Sequence, residues 1–228
     1  MFFNSGYLLW VMLPTLVLTL YAQWRVKSAF AKWSEVPNER GLNGLRTAQI
    51  IMQGAGLEHI EVKQTPGFLT DHYDPRDKSI NLSEGSRQPS VAAMAIVAHE
   101  LGHAEQDKAG SAMLGLRASL VPVANLGSGL GVWIILIGLM LGIYGLAWLG
   151  VLLFGATVAF TLVTLPVEFD ASNRAKRRLR ELGLVSPTEA KGVDAVLNAA
   201  ALTYLAAAAG AILNLLYYVA LLSGGRRR

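Results

Sequence analysis

Five consecutive residues, His99-Glu100-Leu101-Gly102-His103, have the types and spacing that hydrolytic metal chemistry needs. On a helix, His99 and His103 lie on one face, about one turn from each other. Two imidazoles so placed can both reach one Zn²⁺ at roughly 2.0–2.1 Å. Glu100 is rotated from His99 by about 100°. That sets it beside the metal, where its carboxylate can take a proton from a metal-activated water. With 4 His among 228 residues, an H-E-x-x-H pentad arises by chance in roughly 1 of 300 such chains. Its setting therefore carries weight.

That setting favours a helix. Ser90 suits an N-cap, and Val91 to Ala98 are apolar on all sides, as in a helix buried within a folded domain. Ser90 to Ala98 is too short to span a bilayer. The competing reading is an amphipathic helix whose His and Glu are merely solvated.

Hydrolytic zinc sites use three protein ligands and keep one position open for water. The chain has no Cys, so the third ligand must be His or carboxylate. His59, His72, Glu105 and the carboxylates beyond Pro166 are the choices. Glu168 stands out: it follows His103 by 65 residues, and an uncharged stretch of 49, Ala118 to Pro166, fills most of that gap. If the stretch leaves a membrane surface and returns to it, Glu168 comes back beside the pentad. Glu168 also reads as an acid at a helix N-terminus, favoured by the dipole. Asp170 is the neighbouring alternative.

The elements that must position these residues belong to a membrane protein. A composition 53% hydrophobic is too apolar for an ordinary soluble domain. Tyr7 to Tyr21, with its flanks, makes one span. It reads as a signal anchor with the N-terminus on the far side, because Met1 to Gly6 has no Lys or Arg and no small-residue cleavage site follows. Ala118 to Met140 and Leu146 to Leu165 make two more, turning near Gly142 to Gly145. Pro122, Gly127, Gly129 and Gly131 predict a bent or closely packed second span. Asn198 to Leu222 is a fourth apolar segment.

Between the spans lie two polar blocks. In the first, Leu45 to Gln53 has helical periodicity and stops at Gly54 and Gly56. His59 to Lys63 alternates like a strand, and Gly67 to Leu82 reads as a strand, a turn at Asp74-Pro75 and a second strand, Ser79 to Leu82. That hairpin could offer an edge strand to an extended peptide. In the second block, Arg174, Lys176, Arg177, Arg178 and Arg180 read as a solvated, headgroup-facing surface, since they abut a span. Nucleic acid is not expected as a partner. Ser186 to Glu189 is a capping box. The blocks carry 11 and 6 Lys/Arg, so both are expected in the cytoplasm, with the Arg226–Arg228 tail an exception outside.

The expected fold is a mainly α membrane protein: about four transmembrane helices plus a small α+β domain with a β-hairpin. Its parts are an anchor (1–24), the first half of the polar domain (25–117), a membrane hairpin (118–166), the second half (167–199), and a last span with its tail (200–228).

Four motifs in order, L-T-D-H-Y-D-P (Leu69 to Pro75), H-E-L-G-H-A-x-Q (His99 to Gln106), P-V-E-F-D-A-S (Pro166 to Ser172) and A-A-L-T-Y-L (Ala200 to Leu205), resemble the YugP-like family of integral-membrane zinc metallopeptidases. The layout is similar to the larger gluzincin-type group that includes heat-shock-linked quality-control proteases and CAAX prenyl proteases. The resemblance implies His99, His103 and Glu168 as zinc ligands and Glu100 as the base. The expected function is hydrolysis of a polypeptide beside the lipid bilayer, with one Zn²⁺ per chain, in a multi-pass protein of a bacterial plasma membrane. One departure is Ser172, where those relatives carry Asp. This puts the partner of His99 in question, with Asp170 as the substitute.

For the oxyanion, His72, Tyr73, Asn173, Arg174 and Tyr204 are available, with His72 and Arg174 ahead on chemistry. His72 is equally suited to bracing the hairpin turn with Asp71 and Asp74, and His59 reads as a strand residue without chemistry. Two other classes compete: a membrane-bound metal-binding scaffold with little proteolysis, and a metal-free membrane protein with an accidental pentad.

Overall fold

The computed structural model describes residues 5–225, so the Arg226–Arg228 tail, whose side of the membrane the charge pattern addresses, lies outside the described residues. Six principal helices and a small sheet make up the chain: α1 (Ser5–Ser34), α2 (Gly44–Ala55), β1 (Glu61–Gln64), β2 (His72–Asp74), β3 (Ser79–Leu82), α3 (Val91–Lys108), α4 (Ala112–Met140), α5 (Tyr144–Glu181) and α6 (Pro187–Gly225). Helices α1, α4, α5 and α6 are long and apolar enough to cross a membrane. This is a multi-pass, mainly helical membrane protein with a small mixed sheet.

Local chemistry sets most of the boundaries. The Asn43 side chain accepts the Arg46 N–H at the start of α2, and Gly56, at φ 65°, ends that helix in a conformation that favours glycine. Ser90 caps α3 by accepting the Ala93 N–H at 3.1 Å. The capping box closes before α6, with the Ser186 N–H donating to Glu189 at 2.7 Å.

Three expectations change. Helix α5 does not stop at the end of the apolar stretch but runs through Pro166 to Glu181. An interior proline costs about 3 kcal/mol. Here the buried stripe Val167, Ala171, Ala175 and Leu179 anchors the helix beyond it. Glu168 is therefore in a helix interior, and the reading as an N-terminal acid falls. The first hairpin strand shrinks to His72–Asp74, because Asp71 leaves the ladder to accept the Ser83 N–H at 2.8 Å and the Ser83 and Ser86 hydroxyls. The early strand begins at Glu61, which leaves His59 exposed in a turn.

The chain divides into two compact units. One takes in residues 1–22, Gly115–Pro166 and 202–228, of which 5–22 and 202–225 are described. Its core gathers Ile135, Ala147, Val151, Phe154, Val158 and Leu222. Trp10, Met140 and Leu152 stay more than 70% exposed, as expected of side chains that face lipid.

The other unit takes in Gln23–Leu114 and Val167–Ala201. The sheet order is β1-β3-β2, with β1 parallel and β2 antiparallel to the central β3. Helix α3 lies at the heart of the core: Val91, Met94, Val97 and Leu101 pack with Ile51, Ile80, Leu179 and Leu197. Burying each large aliphatic side chain contributes about 1.5–3 kcal/mol, so the helix that bears the pentad is held on all sides.

Candidate metal centre

Helix α3 and the part of α5 beyond Pro166 approach each other at Gly102. A Cβ at that position would collide with the Ala171 carbonyl, so the glycine inside the pentad is what lets the two backbones come this close. Ala171 is one turn beyond Glu168. The contact thus brings all three expected ligands together.

The His99 Nε2 lies 3.2 Å and the His103 Nε2 3.5 Å from the same Glu168 oxygen, Oε2. One ligand atom from each of the three residues falls within 4.8 Å of the others. Tetrahedral zinc with bonds near 2.05 Å needs ligand atoms about 3.3 Å apart. The observed spacing fits that need. His103 and Glu168 are buried, at 8% and 3% exposure, and two imidazoles with one carboxylate form a donor set suited to Zn²⁺.

The far side of each imidazole also has a partner. The Ser172 Oγ is 3.1 Å from His99 Nδ1, so the serine itself fills the position in question. Asp170 does not substitute for it: it accepts from Gln106 Nε2 at 2.9 Å and from Arg174 Nε at 2.7 Å. The reason is rotation. Ser172 is four residues from Glu168 and shares its face, whereas Asp170, two residues away, is turned by about 200°. His103 Nδ1 meets Gln106 Oε1 at 3.0 Å.

Glu100 is the next group outward. Its Oε2 accepts the Tyr73 backbone N–H at 3.0 Å. Burial raises the Glu100 pKa, while His99, His103 and the Tyr73 N–H partly offset the rise. For His103 burial disfavours the charge, but the Glu168 and Glu100 carboxylates outweigh it and hold its pKa above the ordinary value. Tyr73 also donates its hydroxyl to Asp107 at 2.5 Å, and Lys78 Nζ meets the same Asp107 oxygen.

His72 and Arg174 are not brought into this cluster. His72 is exposed on β2, with Nδ1 2.9 Å from the Thr70 carbonyl, and strand alternation turns it away from the face that carries Tyr73. Arg174 pairs with Asp170 and lies 3.8 Å from Glu105. The basic run is not simply a solvated face. Buried Glu105 accepts from Arg178 Nε at 2.6 Å, and Lys176 and Arg180 pair with Asp194 at 3.4 and 3.1 Å. Sequence reasoning assigned no role to Gln106 or Asp107. Their signals are helical: Gln106 is three residues from His103, its partner, and Asp107 is seven from Glu100, so each shares a helix face with a residue of the pentad.

A family model described as "Putative neutral zinc metallopeptidase" matches residues 8–223. The protein described as "Putative membrane protease YugP" from Bacillus subtilis (strain 168) is 42% identical over 215 residues, covering 94% of this chain and 96% of that one. No solved structure matches significantly. The matched span takes in the apolar helices, the hairpin and all three converging ligands, and the chain belongs to this family of membrane zinc metallopeptidases.

Proposed function

We propose that the centre holds one zinc per chain on His99, His103 and Glu168, and that Glu100 is the general base of an endopeptidase working on the cytoplasmic side. The observation that carries this is the convergence of the three ligand atoms with the Glu100 carboxylate on the neighbouring face. Zinc at such a site supplies Lewis-acid polarisation of the scissile carbonyl and lowers the pKa of a water to about 7. Glu100 accepts the proton of the attacking water and delivers it to the leaving amine. The Tyr73 N–H holds that carboxylate in place meanwhile. Ser172 and Gln106 keep the two imidazoles turned inward.

For the oxyanion donor we favour His72 over Arg174. His72 is one residue from the Tyr73 amide and would serve by swinging its exposed imidazole from the outward face toward a bound peptide, while Arg174 is engaged by two carboxylates. The substrate is a polypeptide, and lipid surrounds the spans. A membrane-linked site suits misfolded membrane proteins, or tails and loops near the bilayer, as substrates for quality control or processing.

Zinc analysis and casein-type proteolysis on the purified chain test the assignment. His99→Ala, His103→Ala and Glu168→Ala are expected to lose the metal, and Glu100→Gln to keep it while losing turnover. His72→Ala should lower kcat by about 100-fold with zinc retained. Full zinc occupancy in Glu168→Ala would remove that residue from the ligand set. For sidedness, the absence of native Cys makes single-cysteine labelling clean. Cysteines placed at Asp77 and Glu181 should react only after the membrane is opened to reagent from the cytoplasmic side, and reaction from outside intact cells would reverse the topology.

A further inference from the structure

We propose that Gln106 is the positioning residue that sets the zinc affinity of this centre. Its amide fixes which nitrogen of His103 faces the metal, and it ties that ligand to the backbone beside Glu168. This rests on the zinc reading above. The amide's orientation follows from its neighbours. One end lies 2.8 Å from the Val167 carbonyl oxygen and 2.9 Å from Asp170 Oδ2. An ionised carboxylate and a carbonyl can only accept, so that end is the NH₂ group and both of its hydrogens are used.

The other end is then the oxygen, and it faces His103 Nδ1 at 3.0 Å. A carbonyl oxygen cannot donate, so Nδ1 carries the proton. In the neutral ring that a metal ligand requires, the lone pair is thereby left on Nε2, the nitrogen aimed at Glu168 Oε2. Gln106 is 1% exposed, so no solvent can take over either role. Val167 immediately precedes Glu168, so a single side chain holds one ligand's tautomer and the other's backbone. His99 has no equivalent, because the Ser172 hydroxyl can donate or accept and so does not select a tautomer.

The test is zinc competition against a chromogenic chelator, using the full chain in detergent micelles. Gln106→Leu should bind zinc about 10–100-fold more weakly than the parent. Gln106→Glu combined with Asp170→Asn keeps an acceptor on His103 and restores a hydrogen bond at position 170 but not the one to the Val167 carbonyl, so it should recover only part of that loss. Gln106→Leu binding as tightly as the parent overturns the proposal, as does a double variant no tighter than Gln106→Leu. Should a variant fail to fold, ¹⁵N-histidine spectra of the zinc-loaded parent decide: His103 bound through Nε2 supports the proposal, and binding through Nδ1 overturns it. A parent that binds no zinc overturns the underlying zinc reading, whereas a zinc-binding parent with an indifferent Gln106→Leu overturns this inference alone.

Discussion

Each of the two units has helices that touch backbone to backbone at a glycine, and the contact serves a different end in each. In the unit built from the apolar helices, a Cβ at Gly138 would strike the backbone nitrogen of Ala147, and one at Gly127 would strike the Leu153 carbonyl. Ala118 to Pro166 has no charged residue, and lipid tails are as apolar as the side chains. Close packing of small residues is then what holds the helices. In the unit that carries the metal centre, cohesion comes instead from a buried core and from ion pairs around Glu105. There the contact at Gly102 contributes reach. It decides whether Glu168 arrives at the two imidazoles.

The largest expected effect separates those ends. Gly102→Ala puts a methyl group against the Ala171 carbonyl, and α3 and α5 must part or shear by a good fraction of an ångström. A displacement of that size at reacting groups costs about 100-fold in rate. Chelator competition should report weakened zinc along with the lost proteolysis. Unchanged zinc binding and rate would mean that the helices give way without moving the ligands.

Gly138→Ala makes an equally severe local clash in the membrane hairpin. Its expected effect is on stability, a loss of about 1–3 kcal/mol of the kind overpacking produces, seen as a lower Tm in detergent. Zinc per folded chain should stay at the parental value. If the metal is lost here too, the division of labour between the two glycine contacts is wrong.

How much of this was legible beforehand follows from how local each signal is. The pentad helix, its Ser90 cap and the capping box before α6 are written in adjacent residues and stand where the sequence puts them, and each expected apolar span lies within a longer helix. Glu168 was legible because an uncharged stretch has to return to the surface it left. Helix continuity through Pro166 was not, since it depends on Val167, Ala171 and Leu179 being buried, a tertiary fact. The basic run was read as solvated for a similar reason: Glu105, its main partner, lies 73 residues from Arg178. The choice of Ser172 over Asp170 could have been read from helical rotation alone, once Glu168 was placed mid-helix.

A smaller effect lies at the edge of the site. Tyr73 bonds α3 twice, with its N–H on Glu100 and its hydroxyl on Asp107, and Lys78 joins it at Asp107. Burial alone would raise the Asp107 pKa, but the Lys78 ammonium and the Tyr73 hydroxyl outweigh it and hold the pKa below the ordinary aspartate value. A carboxylate with a depressed folded pKa stabilises the fold at pH above its ordinary value, and that contribution is lost as pH falls through the depressed one. Asp107→Asn should therefore cost about 1 kcal/mol at neutral pH. In thermal melts, the gap from the parent should narrow only once the pH drops below about 4. A gap of constant width across that range would mean that Asp107 holds the hairpin by shape and not by charge. The same variant tests the link to catalysis: with the hairpin loosened and the ligands untouched, kcat should fall while zinc affinity holds, because it is the Glu100 carboxylate, not the metal, that the Tyr73 amide keeps in place.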